Sequence, residues 1–136
     1  MINILLVEDN AIVRNTMAML LASENGVKVV GSAEDGNVAL GLLANGLRPD
    51  IVLADLNMPG MDGIELTVKI RSLYSHMDIV ILTMHNKYIF AEKAFGAGAK
   101  GYLLKDGDIQ KLCASITRVH LGETILDENV SRRDPD

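Results

Sequence analysis

The stretch IVLADLNMPGMDG, residues 51–63, decides the fold prediction. Its first four residues are apolar and predict a buried strand, and Pro59 and Gly60 predict a sharp turn soon after. Asp55 stands at the point where the strand ends. An aspartate before a turn often serves as a cap or turn former, and it also fits a ligand-binding carboxylate at the edge of a sheet. The rest of the chain decides between these two interpretations.

Further apolar runs also end in polar residues: residues 2–7 precede Glu8 and Asp9, residues 79–82 precede Thr83, and residues 101–104 precede Lys105. In a parallel sheet the carboxyl ends of neighbouring strands lie at one edge, where ligands bind in open α/β folds. We therefore expect these side chains to meet Asp55 there.

Apolar runs alternate with helical patterns five times, which is typical of βα units on a parallel sheet. We predict strands near 2–7, 27–32, 51–55, 79–83 and 101–105, and middle helices near 36–45, 63–74 and 87–97. The first helix carries an apolar stripe of Val13, Met17, Leu20 and Leu21, and the last carries Ile109, Leu112, Cys113 and Ile116. Both stripes should face the sheet. Residues 1–121 then form one domain, and residues 122–136 are predicted to be a linker or C-terminal tail.

The composition of the chain argues against two classes of function, membrane association and direct nucleic-acid binding. The chain has 136 residues, 49% of them hydrophobic and 23% charged, as in a soluble globular domain. No apolar stretch is long enough to cross a bilayer, and the N-terminus has no secretory signal, so we expect no membrane association and a cytoplasmic location. A net charge of -5 argues against nucleic-acid binding by this chain itself.

Two features are predicted to carry no chemistry. The single cysteine, Cys113, lies on an amphipathic helix pattern and is expected to act as a small buried hydrophobe. Residues 96–101 satisfy G-x-G-x-x-G, but they follow a helix and precede a strand, the reverse of the dinucleotide-binding order. We interpret them as a helix C-cap and turn.

Three carboxylates gathered at one edge need a cation, because two charges 4 Å apart repel by about 4 kcal/mol at an effective dielectric of 20. Oxygen ligands without His or Cys select a hard ion, and Mg²⁺ is expected, with Mn²⁺ as a substitute. We expect Asp9 and Asp55 as direct ligands, Glu8 through water, and the backbone carbonyl of Asn57 as a further ligand.

Lys105 and Thr83 would add an ammonium and a hydroxyl at the same edge. Both groups match the oxygens of a phosphoryl group attached to a carboxylate, which makes Asp55 the expected nucleophile. Because phosphoryl transfer has a loose transition state, the protein has mainly to position the attacking oxygen and neutralise charge.

These residues, with residues 55–63, resemble the response regulator receiver domain of bacterial two-component signalling in order and placement. The resemblance covers residues 2–121. It implies a doubly wound, flavodoxin-like fold: a five-stranded parallel sheet of order 2-1-3-4-5 flanked by five helices. It also implies a phosphoacceptor switch rather than an enzyme, in which a sensor histidine kinase phosphorylates Asp55 and the output is read at the fourth helix, fifth strand and fifth helix.

Residues 30–36, 82–85 and 101–106 resemble the NarL/FixJ-type branch, whose receivers precede a LuxR-type helix-turn-helix. The chain stops where that domain would begin, so we expect either a truncated regulator or a natural single-domain receiver. In a full-length regulator we expect DNA binding and transcription regulation through the LuxR-type domain. Lys105 is followed by Asp106, as is usual in this branch, where many other receivers have a proline. The resemblance makes Tyr102 the switch aromatic that acts with Thr83, and makes Asn57 and His85 the residues that tune dephosphorylation.

Two alternatives stay open. A standalone receiver would signal by protein contact alone. A receiver–receiver dimer is a further possible contact in either case. An Mg²⁺ phosphohydrolase of the haloacid-dehalogenase type would also form an aspartyl-phosphate. Those enzymes have Asp-x-Asp at the nucleophile. This chain has Asn57 in place of the second aspartate, and so it lacks the expected general acid.

Overall fold

The computed structural model describes residues 1–105 and 108–132. Its strands are β1 (Ile2–Val7), β2 (Val27–Ala33), β3 (Ile51–Ala54), β4 (Asp78–Thr83), β5 (Gly101–Leu104) and β6 (Ile125–Leu126). Its helices are α1 (Ala11–Ala22), α2 (Gly36–Ala44), α3 (Gly63–Leu73), α4 (Tyr88–Ala97) and α5 (Ile109–His120). Asp106 and residues 133–136 lie outside the described residues.

All strand pairs are parallel, and the sheet order is β2-β1-β3-β4-β5-β6. The predicted fold class and the 2-1-3-4-5 order are therefore confirmed. The difference is a sixth strand, β6, which pairs Ile125 with Gly101 and Leu126 with Tyr102 at the outer edge of β5. A two-residue strand is too short to produce a hydrophobic period, so the sequence pattern gave no sign of it.

The central strands are buried on both faces, as expected for a parallel sheet covered by helices. Side chains alternate between two cores. One core joins Val7, Ala54, Ile81 and Tyr102 to helices α2, α3 and α4, and the other joins Leu6, Leu53, Leu82 and Leu103 to α1 and α5. This packing fixes the strand ends, and with them the polar residues that follow.

The helix stripes match the structure with one exception. In α5, Leu112 and Ile116 are buried, as predicted, and Cys113 is partly buried against the same core. In α1, Leu21 is buried and Met17 packs beside it, but Leu20 is 42% exposed, so its predicted position was wrong. Successive helical residues differ by about 100° in direction, which turns Leu20 away from the sheet when Leu21 faces it.

Helix ends follow their local sequence. Asn10, Asp35, Asp62 and Asp108 are N-caps whose side chains accept backbone N–H groups of α1, α2, α3 and α5. Gly98 caps the C-terminus of α4 with φ +109°, which confirms the interpretation of residues 96–101. Among the described residues, no helix is both long and apolar enough to traverse a bilayer.

Candidate functional site

The site lies at the carboxyl ends of the strands. Register pairs Val7 with Ala54, and Ala54 with Ile81, so β1, β3 and β4 end close together. The residues that follow these ends are thereby placed at one edge. The backbone N–H of Lys105 donates to the carbonyl of Thr83 at 2.9 Å, which brings the end of β5 to the same place.

The structure brings Glu8, Asp9 and Asp55 together. One carboxylate oxygen from each lies within 4.8 Å of the others. Glu8 and Asp55 are buried, whereas Asp9 is exposed. A hydrogen bond with Glu8 raises the pKa of Asp9 above its ordinary value of 3.8, and burial and the charge of Glu8 add to the effect. The cluster therefore concentrates negative charge that a cation would relieve.

Lys105 links two members of this cluster. Its Nζ lies 2.5 Å from Glu8 Oε1 and 3.2 Å from Asp55 Oδ1. Burial lowers the pKa of Lys105, but the hydrogen bond with Glu8 and the charges of Asp55 and Glu8 outweigh burial and raise it above 10.5. The side chain is therefore a permanent cation at neutral pH, placed beside the Asp55 carboxylate.

The position of Asp55 depends on a backbone hydrogen bond to β1 and on the close approach of α3 at Gly63. The Asp55 N–H donates to the Val7 carbonyl at 3.0 Å, which continues the β1–β3 ladder past the end of β3. A Cβ on Gly63 would lie 2.3 Å from the Asp55 carbonyl oxygen. Since such a contact is sterically forbidden, a glycine at the start of α3 is what lets the helix approach Asp55 so closely. Gly60, with φ +77°, makes the turn between them.

Thr83 is buried and contacts the segment that follows it. Its Oγ1 accepts a hydrogen bond from the His85 backbone N–H at 3.2 Å. The His85 ring Nε2 contacts the Asn57 side-chain amide, and the ring lies 4.8 Å from the Phe90 ring centroid. The segments after Asp55 and after Thr83 are therefore joined through Asn57 and His85.

Tyr102 is fully buried in the core beneath this segment. Its hydroxyl donates to the His85 carbonyl at 2.8 Å. Burial raises the pKa of Tyr102 to about 12, so the phenol stays protonated and remains a donor at neutral pH. Tyr102 is thus connected to Thr83 through His85.

Two groups that position Glu8 were not predicted from the sequence. The Arg14 Nη1 donates to the Glu8 carbonyl at 2.8 Å, and the Asn10 N–H donates to Glu8 Oε2 at 3.2 Å. Asn10 was visible in the sequence as an N-cap before an apolar helical stripe. Arg14 had no such signal, since its contact depends on how α1 folds back onto the end of β1.

Comparisons with known proteins agree with this geometry. The "Response regulator receiver domain" profile matches residues 4–117. The chain belongs to the response regulator receiver family. It is 36% identical over 134 residues to Response regulator UvrY of Escherichia coli O6:H1 (strain CFT073), covering 98% of this chain and 61% of that protein. It is 35% identical over 130 residues to Transcriptional regulatory protein YdfI of Bacillus subtilis (strain 168), covering 96% and 60%.

Among solved structures, a LuxR-family two-component response regulator from Aurantimonas sp. SI85-9A1 is similar, with 38% identity and a TM-score of 0.89. The match covers 95% of this chain and 91% of that one. The curated relatives are longer, and this chain spans about three fifths of their length. The NarL/FixJ-type and LuxR resemblance is therefore confirmed for the receiver part.

Proposed function

We propose that this receiver domain is a switch controlled by phosphorylation of Asp55. The observation that carries the proposal is the position of the Lys105 ammonium, 3.2 Å from Asp55 Oδ1 and beside an acidic cluster. A partly buried lysine that pairs with two carboxylates can move from one partner to a phosphoryl oxygen without leaving the site. Thr83 supplies the hydroxyl on the neighbouring strand end.

In the proposed reaction, a carboxylate oxygen of Asp55 attacks the phosphorus of the donor. A P–O bond to Asp55 forms, and the bond from phosphorus to the donor's leaving group breaks, with the electron pair going to that group. Lys105 neutralises charge on the transferring oxygens, and the Thr83 hydroxyl donates to one of them. The family's signalling role favours this switch over a phosphohydrolase, as does Asn57 in place of a second aspartate.

The acidic cluster fits Mg²⁺, with Mn²⁺ as a substitute. Ligand oxygens on opposite sides of Mg²⁺ are about 4 Å apart, so oxygens within 4.8 Å of one another need only a small adjustment. We assign Asp9, Asp55 and the Asn57 carbonyl as ligands, with Glu8 acting through water because Lys105 occupies one of its oxygens. When bound, the ion neutralises charge on the transferring phosphoryl oxygens.

We propose a sensor histidine kinase as the donor, a cytoplasmic location for this chain, and transcription as the output. The name of the Bacillus subtilis relative, a transcriptional regulatory protein, supports this output. With a net charge of -5, this chain would reach DNA through a further LuxR-type domain. A receiver–receiver dimer is proposed as a further contact. Residues 1–121 are proposed as the receiver and residues 122–136 as the tail.

The test is labelling with acetyl phosphate and Mg²⁺, read by intact-protein mass. We expect one phosphoryl group on the unsubstituted chain and none on Asp55→Asn, because an amide is not a nucleophile here. Asp78→Asn is the matched control. Asp78 begins β4, so it lies at the amino-terminal ends of the strands, and the site lies at their carboxyl ends. Label that survives Asp55→Asn, or is lost in Asp78→Asn as well, would contradict the assignment.

A further inference from the structure

The tail segment, defined as residues 123–132, lies along the outer edge of β5. The Ile125 N–H donates to the Lys100 carbonyl and the Asp127 N–H donates to the Tyr102 carbonyl, both at 2.9 Å. The Asp127 side chain then accepts the Leu104 N–H at 3.0 Å. The tail therefore satisfies the hydrogen-bonding groups of a strand edge that would otherwise face solvent.

Beyond β6, the tail crosses to the start of α4. Val130 is buried at 7% exposure, and the Ser131 carbonyl accepts the Tyr88 N–H at 3.0 Å. The N-cap residue of α4 is Lys87, and its side chain makes no cap hydrogen bond in the part of the chain that the structure describes. The Ser131 carbonyl thus does the work of a cap, because it binds one of the N–H groups left over at a helix N-terminus. The Arg132 guanidinium adds a contact 5.1 Å over the Tyr88 ring.

The β4–α4 loop, residues 84–87, joins this tail to the phosphoacceptor site. The His85 N–H donates to Thr83 Oγ1, and the His85 carbonyl accepts the Tyr102 hydroxyl. The next carbonyl, that of Asn86, accepts the Ser131 N–H at 2.6 Å. Successive backbone groups of two residues therefore contact the threonine, the tyrosine and the tail.

We propose that phosphorylation of Asp55 releases residues 130–132 from the β4–α4 loop and the first turn of α4. The inference rests on the proposed function. When the Thr83 side chain rotates to bring its hydroxyl to a phosphoryl oxygen, Oγ1 moves away from the His85 N–H that it accepts. The backbone of His85 and Asn86 then shifts, and the Asn86 carbonyl leaves the Ser131 N–H. Release uncaps α4 and exposes the apolar surface against which Val130 packs, while β6 stays paired with β5.

Thermodynamic linkage makes the effect reciprocal. If a phosphoryl group at Asp55 weakens docking of the tail, then docking of the tail weakens the binding of a phosphoryl mimic at Asp55 by the same factor. The probe is beryllium trifluoride with Mg²⁺, a phosphoryl mimic whose binding is reversible. In amide hydrogen exchange on the unsubstituted chain, saturating probe should speed exchange of the Ser131 and Tyr88 amides at least about fivefold, within the usual range of such couplings. The Leu53 amide, in the middle of β3, should not change.

The second arm uses Val130→Asp, which places a charge at the buried anchor of the tail without touching the site. We expect this variant to bind the probe at least about fivefold more tightly. Val68→Asp is the matched control, because Val68 is a valine on α3 that is 51% exposed, and it should bind as the unsubstituted chain does. Circular dichroism checks the fold, and the exchange experiment needs no variant.

The outcomes separate the two proposals. If the probe binds and the Ser131 and Tyr88 amides keep their protection, the tail inference is wrong and the proposed function stands. If Val130→Asp, folded, binds within twofold of the unsubstituted chain, the reciprocal coupling is absent and the inference is again wrong. If the probe does not bind the unsubstituted chain, or binds Asp55→Asn equally well, both proposals fail.

Discussion

The Lys105 ammonium is hydrogen-bonded to the Glu8 carboxylate at 2.5 Å, across 97 residues of sequence. The same ammonium reaches Asp55 at the longer distance of 3.2 Å. Glu8 is therefore the closer partner, and Asp55 keeps more freedom to react. Because the two carboxylates are buried, the lysine should matter for stability as well as for phosphoryl transfer.

We predict that Lys105→Met lowers the free energy of unfolding by about 2 kcal/mol. Removing one partner of a fully buried ion pair costs more, but the Lys105 side chain is 17% exposed and solvent screens part of the effect. A lysine whose pKa is raised contributes stability at all pH values below 10.5, so the loss is present in full at neutral pH. Urea denaturation at pH 7 with a chelator measures it.

Lys93→Met is the matched control, since Lys93 is exposed on α4 and its change should stay within about 0.5 kcal/mol. Added Mg²⁺ should restore part of the stability of Lys105→Met, because the ion supplies positive charge to the same carboxylates. Equal stability of the two variants would mean that the Lys105 ion pairs contribute nothing to folding.

We predict that Asp9→Asn stabilises the domain at pH 7 in the absence of Mg²⁺. The pKa of Asp9 is raised above 3.8, chiefly by the hydrogen bond with Glu8, so the folded state binds this proton more tightly than the unfolded state. Stability is then lost as pH rises from 3.8 through the raised pKa, and the substitution removes that loss. The measurement is the urea midpoint from pH 4 to pH 7.

The gain should shrink toward pH 4, where Asp9 of the unsubstituted chain takes up its proton. Added Mg²⁺ should reverse the order of stability, because the ion binds the carboxylate and not the amide. Asp78→Asn, at the opposite edge of the sheet, should show neither behaviour. A drop in stability of Asp9→Asn at pH 7 without Mg²⁺ would mean that Asp9 supports the fold.

The sequence was sufficient to predict the meeting of Glu8, Asp55, Thr83 and Lys105, because strand ends in a parallel sheet share one edge. The sheet order was predicted from the resemblance to the receiver family. The sequence was not sufficient for Val130. A lone apolar residue among polar neighbours has no period, and its burial depends on the far end of the chain returning to the β5 edge. The same holds for the Asp127 carboxylate, whose partner is the Leu104 backbone N–H. Contacts made by an irregular segment leave no pattern in its sequence.

We predict that Tyr102→Phe lowers the free energy of unfolding at pH 7 by about 1 kcal/mol, because the His85 carbonyl loses its donor. The pKa of Tyr102 is raised to about 12, so the hydroxyl's contribution is present in full below pH 10 and declines as pH rises from 10 to 12. The difference between the two proteins should shrink over that range. Tyr74→Phe, at a partly buried tyrosine, is the control, and an equal effect of both would argue against a specific role of the Tyr102 hydroxyl.

The last prediction concerns the lifetime of the aspartyl-phosphate. Hydrolysis needs water in line with the P–O bond, and Asn57 and His85, two residues after Asp55 and Thr83, are predicted to control its access. Their side chains contact each other, so we expect them to act as a pair. Asn57→Ala and His85→Ala should each change the dephosphorylation rate more than twofold at fixed Mg²⁺. The double variant should depart from the product of the two effects, as residues in contact do.

His76→Ala, at an exposed histidine in the turn after α3, should leave the rate unchanged. If both single variants stay within about twofold, equivalent to only ~0.4 kcal/mol in the barrier, these two positions do not set the lifetime.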